Sequence, residues 1–364
     1  MSRVALLGTG LIGGSVGLAL RRAGTTVVGF DPDDKRAERA QELGAVDEIA
    51  SSVAAAVVTA DVAVVAAPVA MITAVVVEVL DAIPASAVVT DVGSVKAPIV
   101  AAVEQVRPDA AARYVGGHPM AGSEQEGLDG ADPDLFVGST WVLTPTERTE
   151  ATAFTTVRTL VSGLGAEVVA VTPEHHDALV AVVSHVPQLA ATTLMDVAAT
   201  SGEQHATLLR LAAGGFRDMT RIAAGHPGIW PDICVANQVA IIAALDEYVD
   251  ALGAVRSLVV DSDRAGLLAL LERARAARRS LPVGIANGEA LVELRVPVPD
   301  RPGVLAEVTT LAGELGVNIA DVEIAHSMEG AGGVLVLVVA AASVDALETG
   351  LTQRGYHHSR TELP

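Results

Sequence analysis

The chain has 364 residues, 51% of them apolar and 19% charged, enough for two or three globular domains with sizeable cores. Only 2% are aromatic, so those cores are expected to be built from Ala, Val and Leu. With 24 basic and 44 acidic residues the net charge is −20, which leaves no electrostatic footprint for a nucleic-acid backbone or an anionic membrane surface. The single cysteine, Cys234, excludes an intramolecular disulfide, reads as a small buried apolar side chain and fits a reducing cytoplasm.

At the N-terminus, Val4 to Leu20 mimics an export signal, but it carries five glycines and runs straight into Arg21 and Arg22. Val62 to Val77, bounded by Asp61 and Glu78 and interrupted by Pro68, is too short to span a membrane. No membrane segment is therefore expected. From Arg3 to Thr172, short β-branched runs alternate with Ala-rich helical stretches, the pattern of βαβ units around a parallel sheet. The strands fall at Val4–Leu7, Thr26–Phe30, Val62–Ala66, Ala87–Thr90, Tyr114–Gly116, Thr140–Leu143 and Glu167–Val171. This gives an α/β, Rossmann-type doubly wound domain over residues 1–172.

Thr172-Pro173-Glu174 places a capping hydroxyl before a first-turn proline and an acid, and the pattern stays helical to about Arg279. Residues 173–280 are thus read as an all-helical domain. Its apolar segments Ala178–Met195 and Asp232–Leu252 are expected to pack on each other or across a dimer. Ser280–Gly288 reads as a linker. Over 289–364 come a strand Leu291–Val296, a helix Val304–Leu315, strands Asn318–Ala325 and Val334–Ala340, and a helix Ser343–Arg354. A last strand is expected to complete a ferredoxin-like α+β sandwich.

Strand Val4–Leu7 leads into Gly8-Thr9-Gly10-Leu11-Ile12-Gly13 and then a helix, the full context of a dinucleotide-binding fingerprint. The first glycine makes the turn, the second admits a pyrophosphate and the third lets helix pack on strand, while the helix amides hold the anion. Asp31, 18 residues past Gly13, ends the second strand, where a carboxylate accepts hydrogen bonds from a ribose and repels a 2′-phosphate. Asp31 also fits the start of a turn with Pro32, and Arg36 offsets part of its charge. NAD is favoured over NADP.

In an open parallel sheet the ligand lies beyond the carboxyl ends of the strands. Three segments there carry chemistry: Ala67-Pro68, Asp91 to Lys96, and Gly117 to Gly122. His118, between Gly117 and Pro119, is the candidate general base, since an imidazole takes a hydroxyl proton near neutrality. A turn histidine satisfied by the backbone is the alternative. Ser94 is placed to hydrogen-bond the reacting hydroxyl or the imidazole, and Lys96 to bring a positive charge near an anionic substrate. Arg217 and Arg221, i,i+4 on an expected helix, form a cationic face for a carboxylate. His185 lies on an apolar helix and needs a partner, whereas His175-His176 and His226 read as bystanders. No metal site is expected.

Four segments together, Gly8 to Ser15, Thr90 to Lys96, Gly117 to Glu124 and Gly215 to Ala223, resemble the prephenate dehydrogenase family over residues 3 to 255. The resemblance implies oxidative decarboxylation of prephenate with NAD to 4-hydroxyphenylpyruvate, CO2 and NADH, on the way to tyrosine. It implies His118 as base, Ser94 as its support, Arg221 on a substrate carboxylate, and His185, Lys96, Glu124 and Trp230 lining the pocket. Arg217 stands where some relatives have lysine, and Gln238 where arginine is expected. Pro299 to Leu305 and Gly316 to Ile319 resemble an ACT domain, which implies that Asp300, Gly303, Val304 and Leu305 form a turn binding an amino acid, tyrosine above all, with Asn318 and Ile319 on the facing strand of a paired domain. Arogenate dehydrogenase is the nearest alternative, and an amino-acid sensor on a catalytically dead Rossmann scaffold the non-enzymatic one.

Overall fold

The computed structural model describes residues 3–122, 127–200, 212–280, 291–299, 301–326 and 332–362. The expected linker beyond Ser280, Glu124 and Asp300 lie outside the described residues. The chain forms two compact units, residues 1–252 and 253–364.

The first unit is built on an eight-stranded sheet. Its strands are β1 (Arg3–Leu7), β2 (Thr26–Phe30), β3 (Glu48–Ile49), β4 (Val62–Val65), β5 (Val88–Asp91), β6 (Tyr114–Pro119), β7 (Thr140–Thr144) and β8 (Glu167–Ala170), in the order β3-β2-β1-β4-β5-β6-β7-β8. Successive side chains of β1 serve opposite cores: Val4 and Leu6 face one, Ala5 and Leu7 the other. That two-sided burial is why the strands read as unbroken apolar runs rather than alternating ones. The chain reverses direction across the sheet between β1 and β4, so the crevice beyond their carboxyl ends, flanked by Gly8 and by Ala67-Pro68, is the ligand position of a doubly wound fold.

Three sequence expectations change. β3 is only two residues long and carries no hydrophobic run to betray it. β7 pairs antiparallel with β6 although its other neighbour, β8, is parallel. Among the described residues, the connection between β6 and β7 holds a single 3-10 turn at Leu128–Gly130 in place of a crossover helix, and a parallel pairing requires a crossover. The same pairing extends β6 to Pro119, so His118 is a strand residue rather than part of a loop.

Beyond β5, Lys96 caps the start of helix α5 (Ala97–Val106) with its side chain turned fully inward. Its ammonium donates to Asp91 and to the carbonyl of Gly117 (2.8 Å). The other oxygen of Asp91 accepts from Tyr114 Oη (2.8 Å) and the Gly117 amide (3.1 Å), and the Gly93 amide completes the set. Burial lowers the Lys96 pKa while Asp91 works against it. Burial and the adjacent Asp91 carboxylate push the Tyr114 phenol well above its ordinary value. The ion pair ties β5, β6 and α5 together directly behind His118.

Helical structure follows at α7 (Pro173–Val180), a π-helical turn Ala181–His185 and α8 (Val186–Thr200). The run Pro173–Thr200 is long and apolar enough to cross a membrane by length and composition. Its polar side chains His176, Asp177 and His185 are instead buried within the first unit. Further along, Cys234 is half-buried, less enclosed than expected.

In the second unit, β9 (Leu291–Pro299), β10 (Ile319–His326), β11 (Gly332–Ala340) and β12 (Ser359–Glu362) form an antiparallel sheet ordered β10-β11-β9-β12. Val292, Leu294, Val296 and Val298 alternate along β9 and are buried with Val308 and Leu311 of the helix Val304–Glu314 and Leu347 and Leu351 of the helix Val344–Gln353. The element order βαββαβ includes the closing strand anticipated from sequence. Gly303, at φ +89°, turns the chain into the first of these helices, with Val304 and exposed Leu305 opening it and Asn318 and Ile319 entering β10. Arg301 grips Glu307 with two hydrogen bonds (2.8 and 2.7 Å), and Tyr356 Oη donates to the same carboxylate (2.6 Å), holding its pKa down to about 2.

Removing one partner of a buried ion pair leaves the other charge uncompensated, at a cost of about 3–5 kcal/mol. Lys96→Met is expected to lower unfolding stability by that order in urea titrations followed by circular dichroism. An unchanged midpoint would show that the pair does not brace this edge of the sheet.

Candidate active site

Two groups of residues meet the carboxyl edge of the first unit's sheet. The first is the glycine turn. Gly8 adopts φ +100°, its amide donates to the Phe30 carbonyl (2.8 Å), and a Cβ there would sit 2.3 Å from the Ala66 carbonyl oxygen. A Cβ on Gly13 would lie 2.1 Å from the Gly8 oxygen, so helix α1 (Leu11–Arg22) approaches the strand only because this residue is glycine. Gly10 caps α1 without a side-chain hydrogen bond and faces open space. The first-turn amides at Leu11 and Ile12 have no carbonyl one turn back to pair with. Those donors, together with the helix dipole, fit a pyrophosphate, and the residues present match a dinucleotide.

Asp31 is buried and does more than await a ribose. Its carboxylate accepts from the Thr9 amide (2.8 Å), Thr9 Oγ1 (3.0 Å) and the Asp33 amide (3.0 Å), and the Arg36 guanidinium lies 3.3 Å away. It therefore locks the glycine turn onto β2 and holds the turn that follows it. Arg36 partly neutralises the charge that would exclude a 2′-phosphate.

The second group surrounds His118. Nδ1 of His118 is 2.8 Å from Nε2 of His176, with the two rings edge to face. Nδ1 of His176 is 2.7 Å from Oδ1 of Asp177. That carboxylate also accepts the amides of Lys96 and Ala97 (both 2.8 Å) at the start of α5. Asn237 donates to the Asp177 carbonyl (2.9 Å) and meets Nδ1 of His185 (3.2 Å), whose ring packs edge-on to Trp230 with centroids 6.2 Å apart. Burial, then the neighbouring His176, Lys96 and His185, holds the His118 pKa well below its ordinary value. Burial likewise lowers His185 to about 4, against the pull of Asp177. Both imidazoles are neutral at pH 7.

His118, His185 and Trp230 thus belong to one continuous cluster, while Ala67 and Pro68 flank the glycine turn. Ser94 lies between Asp91 and Lys96, half-exposed, and makes no hydrogen bond to His118 among the described residues. Lys96 departs from its expected role: its ammonium is sealed behind His118 on Asp91, so it reaches the site through its field and not by contact. Arg217 and Arg221 do not share one α-helix face. The helix Gly214–Thr220 tightens to a 3-10 turn at Arg221–Ala224, just ahead of Gly225-His226-Pro227, and both arginines are exposed.

His176 and Asp177 were missed from sequence. The pair looked like a first-turn cluster, and only the docking of α7 against α5 brings it to His118. His185, nine residues on, would lie about two and a half ideal turns away, on the opposite face. The π-helical turn at Ala181–His185 rotates the chain less per residue and carries His185 back toward Asp177 and His176.

Residues 16–170 match the family profile "Prephenate dehydrogenase, nucleotide-binding domain" and residues 172–273 match "Prephenate dehydrogenase, dimerization domain". The chain is 35% identical over 337 residues to the prephenate dehydrogenase of Bacillus subtilis (strain 168), covering 91% of this chain and 90% of that one. A crystal structure of prephenate dehydrogenase from A. aeolicus, in complex with hydroxyphenyl propionate and NAD+, superposes with a TM-score of 0.71 at 30% identity, over 76% of this chain and 97% of that chain. Synechocystis arogenate dehydrogenase superposes with a TM-score of 0.68 at 31% identity, over 76% and 98%. The two family profiles together cover most of the chain, the histidine cluster included, and the chain belongs to the prephenate dehydrogenase family.

Proposed function

We infer that this protein oxidises and decarboxylates prephenate with NAD, giving 4-hydroxyphenylpyruvate, CO2 and NADH. The observation that carries the reading is His118, held by His176 at the carboxyl edge of a sheet whose glycine turn fits a dinucleotide, in a chain 35% identical to a prephenate dehydrogenase along nearly its whole length. Gly8 to Gly13 and the α1 amides would hold the pyrophosphate, Asp31 the ribose, and Ala67-Pro68 the wall beside it. The nicotinamide, when bound, supplies the hydride acceptor.

His118 takes the proton of the ring hydroxyl as hydride leaves the same carbon and a carbonyl forms there. Loss of the ring carboxylate as CO2 sends its electron pair into the ring, which becomes a phenolate, and the proton held by His118 returns to that oxygen. Aromatisation supplies most of the driving force, so these residues chiefly orient groups and hold a proton. Arg221, with Arg217 nearby in sequence, is our candidate for a substrate carboxylate. Ser94 is assigned to the reacting hydroxyl, and His185 and Trp230 to the pocket wall. A second substrate, arogenate, is favoured by the similarity to the Synechocystis enzyme.

Two copies of the chain are expected to pair through the helical segments. The family profile there is a dimerization domain, and Val235 and Val239 are 78% and 84% exposed. The C-terminal unit, with its βαββαβ order and the Gly303 turn, is read as an ACT-type module that binds tyrosine.

The test is NADH formation with prephenate and arogenate side by side, with NAD and NADP. Turnover with prephenate and NAD is expected. His118→Asn should lower kcat by about 10²- to 10⁴-fold with little change in the KM for NAD. Wild-type turnover in that variant would remove His118 from the chemistry. Removing residues 289–364 should leave an active enzyme that no longer responds to tyrosine. Inhibition that persists in the shortened chain would mean competition at the pocket around His118.

A further inference from the structure

We propose that His176 and Asp177 are positioning residues that fix the tautomer of His118, keeping a proton on Nδ1 and a free lone pair on Nε2 for the substrate hydroxyl. The proposal rests on the reading of His118 as the base.

The hydrogen-bond directions follow from Asp177 outward. Both of its oxygens accept amide protons at the positive end of α5, Oδ1 from Lys96 and Oδ2 from Ala97, so it meets His176 as an acceptor. Nδ1 of His176, 2.7 Å from Oδ1, must therefore be the donor. A neutral imidazole carries one N–H, which leaves Nε2 of His176 as an acceptor. The proton in the 2.8 Å contact between the two histidines then belongs to Nδ1 of His118. Nε2 of His118 is left unprotonated, as a general base requires.

A second chain of inference fixes His185 the opposite way. The atom of Asn237 that meets a backbone carbonyl must be its amide nitrogen, and that same nitrogen faces Nδ1 of His185. Nδ1 therefore accepts, and the His185 proton sits on Nε2. The cluster thus contains one imidazole set to receive a proton and another set to donate a hydrogen bond.

During the reaction the substrate O–H bond breaks and an N–H bond forms at Nε2 of His118. The resulting imidazolium still donates from Nδ1 to His176, which in turn donates to Asp177. The groups facing His118 are His176, Lys96 and His185; the Asp91 carboxylate behind them is taken up by Lys96, whereas Asp177 bears on the new charge through His176. Oδ1 of Asp177 accepts from the Lys96 amide and meets His176, so Asp177→Asn keeps its oxygen at that position and preserves the order of donors while removing the carboxylate's charge.

The experiment combines kinetics with tautomer-sensitive 15N spectra of histidine-labelled full-length protein, the His118 signals being assigned by their loss in His118→Asn. His118 is expected in the Nδ1–H form in the wild type and in Asp177→Asn alike, with kcat for prephenate reduced about tenfold or more in the variant for want of the carboxylate charge and KM for NAD unchanged. His176→Gln offers an acceptor oxygen to His118 and a donor to Asp177, and is expected to lose less than about tenfold in kcat. His176→Leu offers neither and should lose about 10²-fold or more. This pair carries the test if Asp177→Asn fails to fold. A wild-type His118 in the Nε2–H form, or His176→Gln as impaired as His176→Leu, would overturn the proposal. Absence of prephenate turnover in the wild type would overturn the functional reading alone, because the spectra do not depend on it.

Discussion

The carboxylate of Asp177 is buried at the first turn of α5, where two backbone amides and a histidine converge on it. A helix start presents donors without intrahelical partners, and a carboxylate there satisfies them while meeting the positive end of the dipole. Here that carboxylate comes from 80 residues further along the chain, so a local capping requirement becomes a tertiary clamp. It presses α7 against the edge of the sheet where β5 and β6 end. His176 directly precedes Asp177, so the clamp sets its distance to His118, and Asn237 extends the same network to His185.

The opposite side of that edge carries the buried Lys96–Asp91 pair. A buried pair contributes little net stability, because desolvation consumes most of the attraction. What it fixes here is geometry: Asp91, at the end of β5, gathers four donors from β6 and the turn before α5, and Lys96 holds the Gly117 carbonyl immediately before His118. The base is thus held from both sides, by an ion pair through its backbone and by an imidazole through its ring. In a chain of net charge −20, the groups facing the His118 ring are nevertheless two imidazoles and a lysine, and with burial they keep it neutral.

What the sequence revealed and what it concealed divide along the range of the interactions. The glycine turn was legible because each glycine answers a local demand, and the structure shows those demands at Gly8 and Gly13. β1, β2 and β4 were legible because burial on both faces leaves an unbroken apolar run. The C-terminal βαββα order was legible from alternation along β9 and the turn at Gly303. His176 was not, because nothing within α7 distinguishes a buried relay from a solvated first turn. The direction of β7 was lost because the βαβ pattern was extended across a segment lacking a crossover helix, and Lys96 was misjudged because its partner, Asp91, lies on the strand side of its own loop.

The account turns on His118 being a neutral base in the free enzyme, its pKa held below the ordinary histidine value of about 6.5 by burial, His176, Lys96 and His185. A depressed pKa keeps the base competent down to more acid pH, and activity is lost only as pH falls through the depressed value. The pH profile of kcat/KM for prephenate reports ionisations of the free enzyme and substrate, and is the most direct measurement of that claim. The account expects a plateau through neutrality, with an acid limb lying below pH 6.5 and abolished in His118→Asn above that variant's residual rate. An acid limb at or above pH 7 that disappears with His118 would contradict it.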